Sequence, residues 1–376
     1  MLKGMTVRYM KRYKAGLNPN RDYSVDLLRI ISMFMVIIIH IDSNGGVLEA
    51  AAYSPTHYWS VQVLHCLCYC AVDIFGLISG YFGFKSKWKL TNIFVLWLTV
   101  ACYSVAFEFL YRLIVSGTVN FHNILWAAKK ALSAINGNYW FFKAYFLMFF
   151  FMPFMNKAVT SMTMREHGFA AALLTLVTTV GSSLFEDVFS IDWGRHALWL
   201  AILYIDGAFL AKYRPLKRFS SLQLFAGFFT CFGIKILFEV FDQLIRPSHL
   251  ALGYASLAVL GEAVFALTLF TRVDLSETFK KIVSVTSPLA FSVYIIHENI
   301  RIREMITDNL FSCLAHLPSG LMIICILLSA LAIFIICASI DSVRKMIFDL
   351  LKIKQRAFAA EEKLKAKIGL IQIEKG

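Results

Sequence analysis

Residues 21–40, RDYSVDLLRIISMFMVIIIH, contain a physical contradiction. From Asp26 onward the run is apolar enough to cross a bilayer, yet it carries Asp26, Arg29 and His40. An ionisable group costs roughly 2.5–3.5 kcal/mol at the centre of a membrane helix. Helix geometry brings the three together. Arg29 and His40 are eleven residues apart, which is about three turns and about 16 Å along the axis, so they share a face. Asp26 precedes Arg29 by three residues and joins them. The stretch therefore predicts a membrane helix with a single polar stripe.

The rest of the chain extends this reading. Its 376 residues are 59% hydrophobic and 16% charged, against about 25% charged in soluble domains. Apolar residues spread over the whole length imply an all-α, polytopic membrane protein. The expected spans are ten: 26–43, 58–84, 91–115, 139–155, 169–185, 197–211, 221–240, 250–270, 285–304 and 320–340. The ninth ends in the polar run HENIRIRE (297–304) and has Pro288 near its start.

A net charge of +13 raises the question of nucleic acid. Its distribution answers otherwise. Residues 1–25 hold six Lys/Arg, residues 341–376 hold nine, and the loops that would be internal hold twelve, against four in the external loops. That alternation predicts cytoplasmic N and C termini, and no basic folded surface domain is present for nucleic acid. The organisation is then a basic segment 1–25, a membrane domain 26–340 and a basic amphipathic tail 341–376, where VRKMIFDLLKIKQ should lie on the inner membrane surface. Basic polar residues precede the first apolar run, which reads as an uncleaved anchor. Among the eight cysteines, Cys66, Cys68 and Cys70 read as small hydrophobes rather than zinc ligands; no metal is expected.

Ionisable residues inside spans point to an enzyme or a transporter. His40, an imidazole with Arg29 on its face, is the strongest catalytic candidate. In the second span Gln62, His65, Tyr69 and Asp73 fall on one face, and Gly76 and Gly80 form a GxxxG pattern for close helix packing. Asp73 can also be read as an interhelical polar contact. In the ninth span His297, Arg301 and Glu304 share one face, at spacings of four and three. Lys143, Lys235, Glu239, Glu108, Asp206 and Glu262 are ambiguous, because several lie near span ends and can snorkel. Aromatic residues at the outer edges, including Tyr58, Trp59, Tyr139 and Trp140, read as an interfacial belt, although Trp140 can also stack on a sugar ring. No GxxxxGK[ST], HExxH or GxSxG motif is present.

Four ordered stretches resemble the integral membrane acyltransferases of acyltransferase family 3, and among them the polysaccharide O-acetyltransferase-like branch of Gram-positive bacteria. Arg29, ten residues and His40 match its R-x10-H signature. AVDIFGLISGYFGF (71–84), YWFFKAYFLMFFFMPFMNK (139–157) and FSVYIIHENIRIR (291–303) are similar to its later motifs. The resemblance implies ten helices in a bacterial cytoplasmic membrane. It also implies an acyl-CoA donor, commonly acetyl-CoA, taken from the cytoplasm, and transfer to a hydroxyl of a surface or exported saccharide. It assigns functional roles to Arg29 and His40, with Asp26 placed to orient Arg29. His40 would serve as general base or be acylated itself. Relatives carry arginines after the second span where this chain has Lys85, Lys87 and Lys89, which supply charge without the bidentate fork. Asp73, Trp140, Lys143, Tyr145, Tyr294, His297 and Arg301 are the candidates to meet the acceptor. Rival readings are a transporter or flippase of lipid-linked saccharides and a non-catalytic assembly partner; membrane lipids surround the chain in each.

Overall fold

The computed structural model describes residues 17–19, 21–117, 125, 129, 139–184, 189–245 and 253–369. Most of the basic N-terminal segment, and Lys130 and Arg246 of the external loops, lie outside the described residues. Helices of eight residues or more are α1 (Tyr23–Asp42), α2 (Pro55–Cys68), α3 (Ala71–Gly83), α4 (Leu90–Ser116), α5 (Trp140–Ser161), α6 (Met164–Leu184) and α7 (Ala197–Tyr213). They continue with α8 (Ser221–Ile245), α9 (Leu257–Phe270), α10 (Glu277–Thr286), α11 (Ala290–His297), α12 (Ser319–Leu350) and α13 (Ile353–Lys367). No strand occurs among the described residues.

Among the described residues each of the ten expected segments overlaps a helix in part. Six stretches are long and apolar enough to cross a membrane: Tyr23–Asp42, Pro55–Gly83, Leu90–Val115, Ser221–Asp242, Glu277–His297 and Ser319–Leu350. Leu257–Phe270 is a shorter apolar helix. The chain is an all-helical, multi-pass membrane protein.

One expected span changes its bounds. The ninth span begins earlier and ends at His297, not at residue 304. Pro288, which lacks an N–H, sits in a tight 3-10 turn (Ser287–Leu289) between α10 and α11. Past His297, Asn299 adopts extended backbone and its side chain accepts from the Arg301 N–H, which starts a separate turn. His297, Arg301 and Glu304 therefore do not share a helix face. α12 runs unbroken to Leu350, with Asp341 fully buried between the Arg344 guanidinium and the Tyr103 hydroxyl.

Packing explains the glycines. A Cβ on Gly80 would lie 1.9 Å from the Tyr204 carbonyl oxygen, and one on Gly207 would lie 2.0 Å from that of Leu77. Only glycine lets the α3 and α7 backbones approach so closely. This packing is also why span two breaks at Tyr69–Cys70: α3 is aligned on α7, whereas α2 faces α1 and α8. Gln62 donates to Glu239 at 2.7 Å, His65 lies 3.8 Å from Asp42, and Asp73 turns to the Trp199 indole. Cys66, Cys68 and Cys70 are buried free thiols.

The basic loops gather at one end of the bundle. There Ser24 donates to the Val273 carbonyl, Arg272 to that of Phe219, and Asn156 to that of Gly83. The tail helix α13 closes against the start of α4 by a specific cap. Glu361 accepts from the backbone N–H groups of Leu90 and Thr91 and from the Thr91 hydroxyl. This satisfies donors that a helix N-terminus leaves without partners. Burial raises the Glu361 pKa, but these bonds and Lys365 outweigh it and hold the carboxyl below the usual glutamate range. A depressed pKa means the cap stabilises docking above that range and is lost as pH falls through the folded value. Glu361→Ala should cost about 1 kcal/mol of docking and speed proteolysis of residues 353–367 several-fold at neutral pH. Unchanged cleavage would show that the tail is held by other contacts.

Candidate functional site

Two polar centres sit at opposite ends of α1. At its start, Asp22 caps the helix by accepting from the Val25 N–H, so the first turn is well defined. One turn on, buried Asp26 is shared by two guanidiniums. Arg29 donates to one carboxylate oxygen at 2.6 Å and Arg21 to the other at 2.5 Å. The Ser287 hydroxyl donates to Asp26 at 3.0 Å and also accepts from Arg29 at 3.3 Å. One carboxylate against two guanidiniums leaves the centre positive, and the partners fix the direction of Arg29. The Arg29 guanidinium also lies 5.9 Å from the Phe82 ring centroid.

At the far end, His40 meets the residues on either side of the point where α11 ends. Its Nδ1 is 2.8 Å from His297 Nε2 and 2.9 Å from Glu298 Oε2. The direction of the protons follows from the last partner in the chain. His297 Nδ1 lies 2.6 Å from the Val293 carbonyl, which can only accept. So His297 carries its proton on Nδ1, its Nε2 accepts, and His40 donates from Nδ1. In the neutral ring this leaves His40 Nε2 with the free lone pair. Glu298 is itself held: Arg303 donates to its other oxygen at 3.0 Å. Asn299 beside it donates to the Tyr139 hydroxyl, which donates to the Ile295 carbonyl. A carboxylate so placed orients an imidazole and stabilises its protonated form.

His40 also opens on an apolar cavity of about 40 Å³, lined by Met33, Val36, Ile39, Val72, Phe75, Trp140, Phe141, Tyr254, Phe291 and Tyr294. That space holds roughly two or three waters or a small group. A basic site at one end of a helix, and an oriented imidazole about 16 Å away beside an apolar pocket, suit transfer of a group carried on a long anionic donor. The family profile for the acyltransferase domain matches residues 22–339. The chain belongs to acyltransferase family 3. No curated protein and no solved structure matches it.

Within this acyltransferase the expected site residues divide. Asp26 and Arg29 meet at the inner centre. His40 and His297 meet at the outer one, with Trp140 and Tyr294 in the adjoining cavity. Tyr145 lies within electrostatic reach of Arg29. Four groups lie elsewhere. Asp73 is fully buried and accepts from the Trp199 indole at 3.0 Å, an interhelical contact. Lys143 is exposed on the outer surface of α5. Arg301 is engaged by Glu108 and Glu304, because the helix broke before it. Lys85 lies over the Phe84 ring and Lys89 over Phe358 of the tail, while Lys87 is exposed.

Sequence reading missed Glu298, Arg21, Ser287 and Tyr254. The HEN run held the signal for Glu298, but helical periodicity carried through it turned the glutamate away from His297. His40, His297 and Glu298 also present three ligand atoms within 4.8 Å of one another, a set able to hold a metal ion; the bond to Val293 orders the same atoms as a hydrogen-bonded relay. Of the ambiguous span residues, Lys235 and Glu262 do not snorkel: they pair at 2.5 Å, both fully buried. Asp206 accepts from Thr175.

Proposed function

We propose that this acyltransferase moves an acetyl group from cytoplasmic acetyl-CoA to a hydroxyl of an exported or surface polysaccharide in the bacterial cytoplasmic membrane. The observation that carries this reading is His40, backed by His297 and Glu298, opening on an apolar pocket. The acceptor hydroxyl attacks the thioester carbonyl carbon while His40 Nε2 takes its proton. The tetrahedral centre collapses with cleavage of the C–S bond, and the imidazolium returns the proton to the departing thiolate, leaving an ester and free CoA. Glu298 stabilises the imidazolium, which is where positioned acid–base groups contribute on the order of 10²–10⁴-fold. Arg29, held by Asp26, draws the anionic donor to the inner end. The pantetheine arm spans the distance between the centres, and both termini face the cytoplasm.

The test is direct. Purified protein should release CoA from acetyl-CoA only with a glycan acceptor, and mass spectrometry of surface glycans should show acetyl esters that vanish when the gene is deleted. Saccharide moved across the membrane without CoA release would support the transporter reading instead.

A further inference from the structure

We infer that the nucleotide end of the donor, with its phosphates, binds in the cleft beside the loop after α7, held by Arg214, Lys217 and Arg218. The inference rests on the acyl-CoA reading above and moves the phosphate site away from Lys85, Lys87 and Lys89.

The corner is built around cations with two different fates. Lys212 donates to the carbonyls of Val159, Thr160 and Met162 at the end of α5. Arg272 donates to those of Phe219, Leu216 and Lys217 at 2.7, 3.0 and 3.4 Å. These two hold the loop in place. Arg214, Lys217 and Arg218 are exposed and line an open cleft of about 590 Å³, within the size range of ordinary ligand sites. None of the three forms an ion pair among the described residues. Like charges held together on a pinned loop repel unless an anion joins them. Arg214 also closes α7 in the left-handed region, at φ 48°. Glycine is the usual residue there, and a side chain costs about 1–2 kcal/mol, so the position carries a guanidinium at the expense of a better cap.

Arg214, which lines the cleft, also lies near the end of α3, within electrostatic reach of Tyr81. Tyr81 packs edge-on against Phe82 at 5.2 Å, and Phe82 lies under the Arg29 guanidinium. A pantetheine arm running from phosphates in the cleft to Arg29 would pass this end of α3. By contrast, Lys89 is engaged with the tail ring of Phe358. Guanidiniums grip phosphate oxygens in pairs, which lysines cannot do.

The same chemistry would suit an anionic lipid headgroup, so the test separates the two sources. Full-length protein in zwitterionic nanodiscs is titrated with adenosine 3′,5′-bisphosphate, the nucleotide end of CoA. The variant R214Q/K217Q/R218Q should bind it roughly tenfold or more weakly, and K85Q/K87Q/K89Q should bind nearly as wild type. Turnover of acetyl-pantetheine, which lacks the phosphates, should survive in R214Q/K217Q/R218Q and thereby show that it is folded. Photolabelling of wild type with the 8-azido form of the same bisphosphate needs no variant, and should mark peptides from residues 213–219. Equal affinity in both variants, or labelling confined to residues 85–89, overturns the inference. So does a variant that keeps its affinity for the bisphosphate and, in separate nanodiscs containing phosphatidylglycerol, loses only binding of that lipid. Cation-dependent nucleotide binding without acyl transfer would leave the site standing and overturn the proposed function alone.

Discussion

His40→Gln is expected to lower acyl transfer by on the order of 10²–10⁴-fold without reducing the amount of inserted protein. Glutamine still hydrogen-bonds but accepts no proton near neutral pH, so the substitution separates proton transfer from packing. Glu298→Gln should fall in the same direction. It keeps an oxygen near His40 Nδ1, now 2.9 Å from the carboxylate, but removes the charge that stabilises the imidazolium. His297→Ala should be milder, up to roughly tenfold, because it removes one hydrogen bond while Glu298 still orients the ring. The 2.8 Å contact of His297 with His40 makes it part of the same relay. The readout is acetyl ester formed per unit of inserted protein. Near-normal transfer in His40→Gln would remove the proton-transfer role from this histidine.

Lys235→Met is expected to destabilise the assembled bundle by about 3–5 kcal/mol, with no group near the His40 cavity touched. Lys235 on α8 and Glu262 on α9 are both fully excluded from solvent and pair at 2.5 Å. The second Glu262 oxygen has no hydrogen-bond partner among the described residues, so loss of the lysine leaves an uncompensated carboxylate. The double variant Lys235→Met, Glu262→Met should recover most of the loss, since a buried pair replaced by apolar groups of similar size is often neutral. Thermal unfolding in detergent, followed for both singles and the double, measures the coupling. Equal stability in Lys235→Met and wild type would mean that the pair is hydrated in the membrane.

What the sequence determined by itself is everything set by local composition and helical period. The hydropathy located the helices, the alternation of lysine and arginine between loops gave an expected orientation, and the eleven-residue spacing put Arg29 and His40 on one face. GxxxG marked the α3 face that meets α7, because absence of a side chain is visible without knowing the partner. The tertiary structure alone decided which charges belong together. Glu298 and His40 are 258 residues apart, Arg29 and Ser287 equally far, and Arg301 goes to Glu108 rather than to His297. A polar face on a membrane helix states that a partner is required, since lipid supplies none. Which partner arrives depends on the rotation and register of the neighbouring helix and on where that helix breaks, as α11 does at His297; these follow from packing between segments remote in the chain.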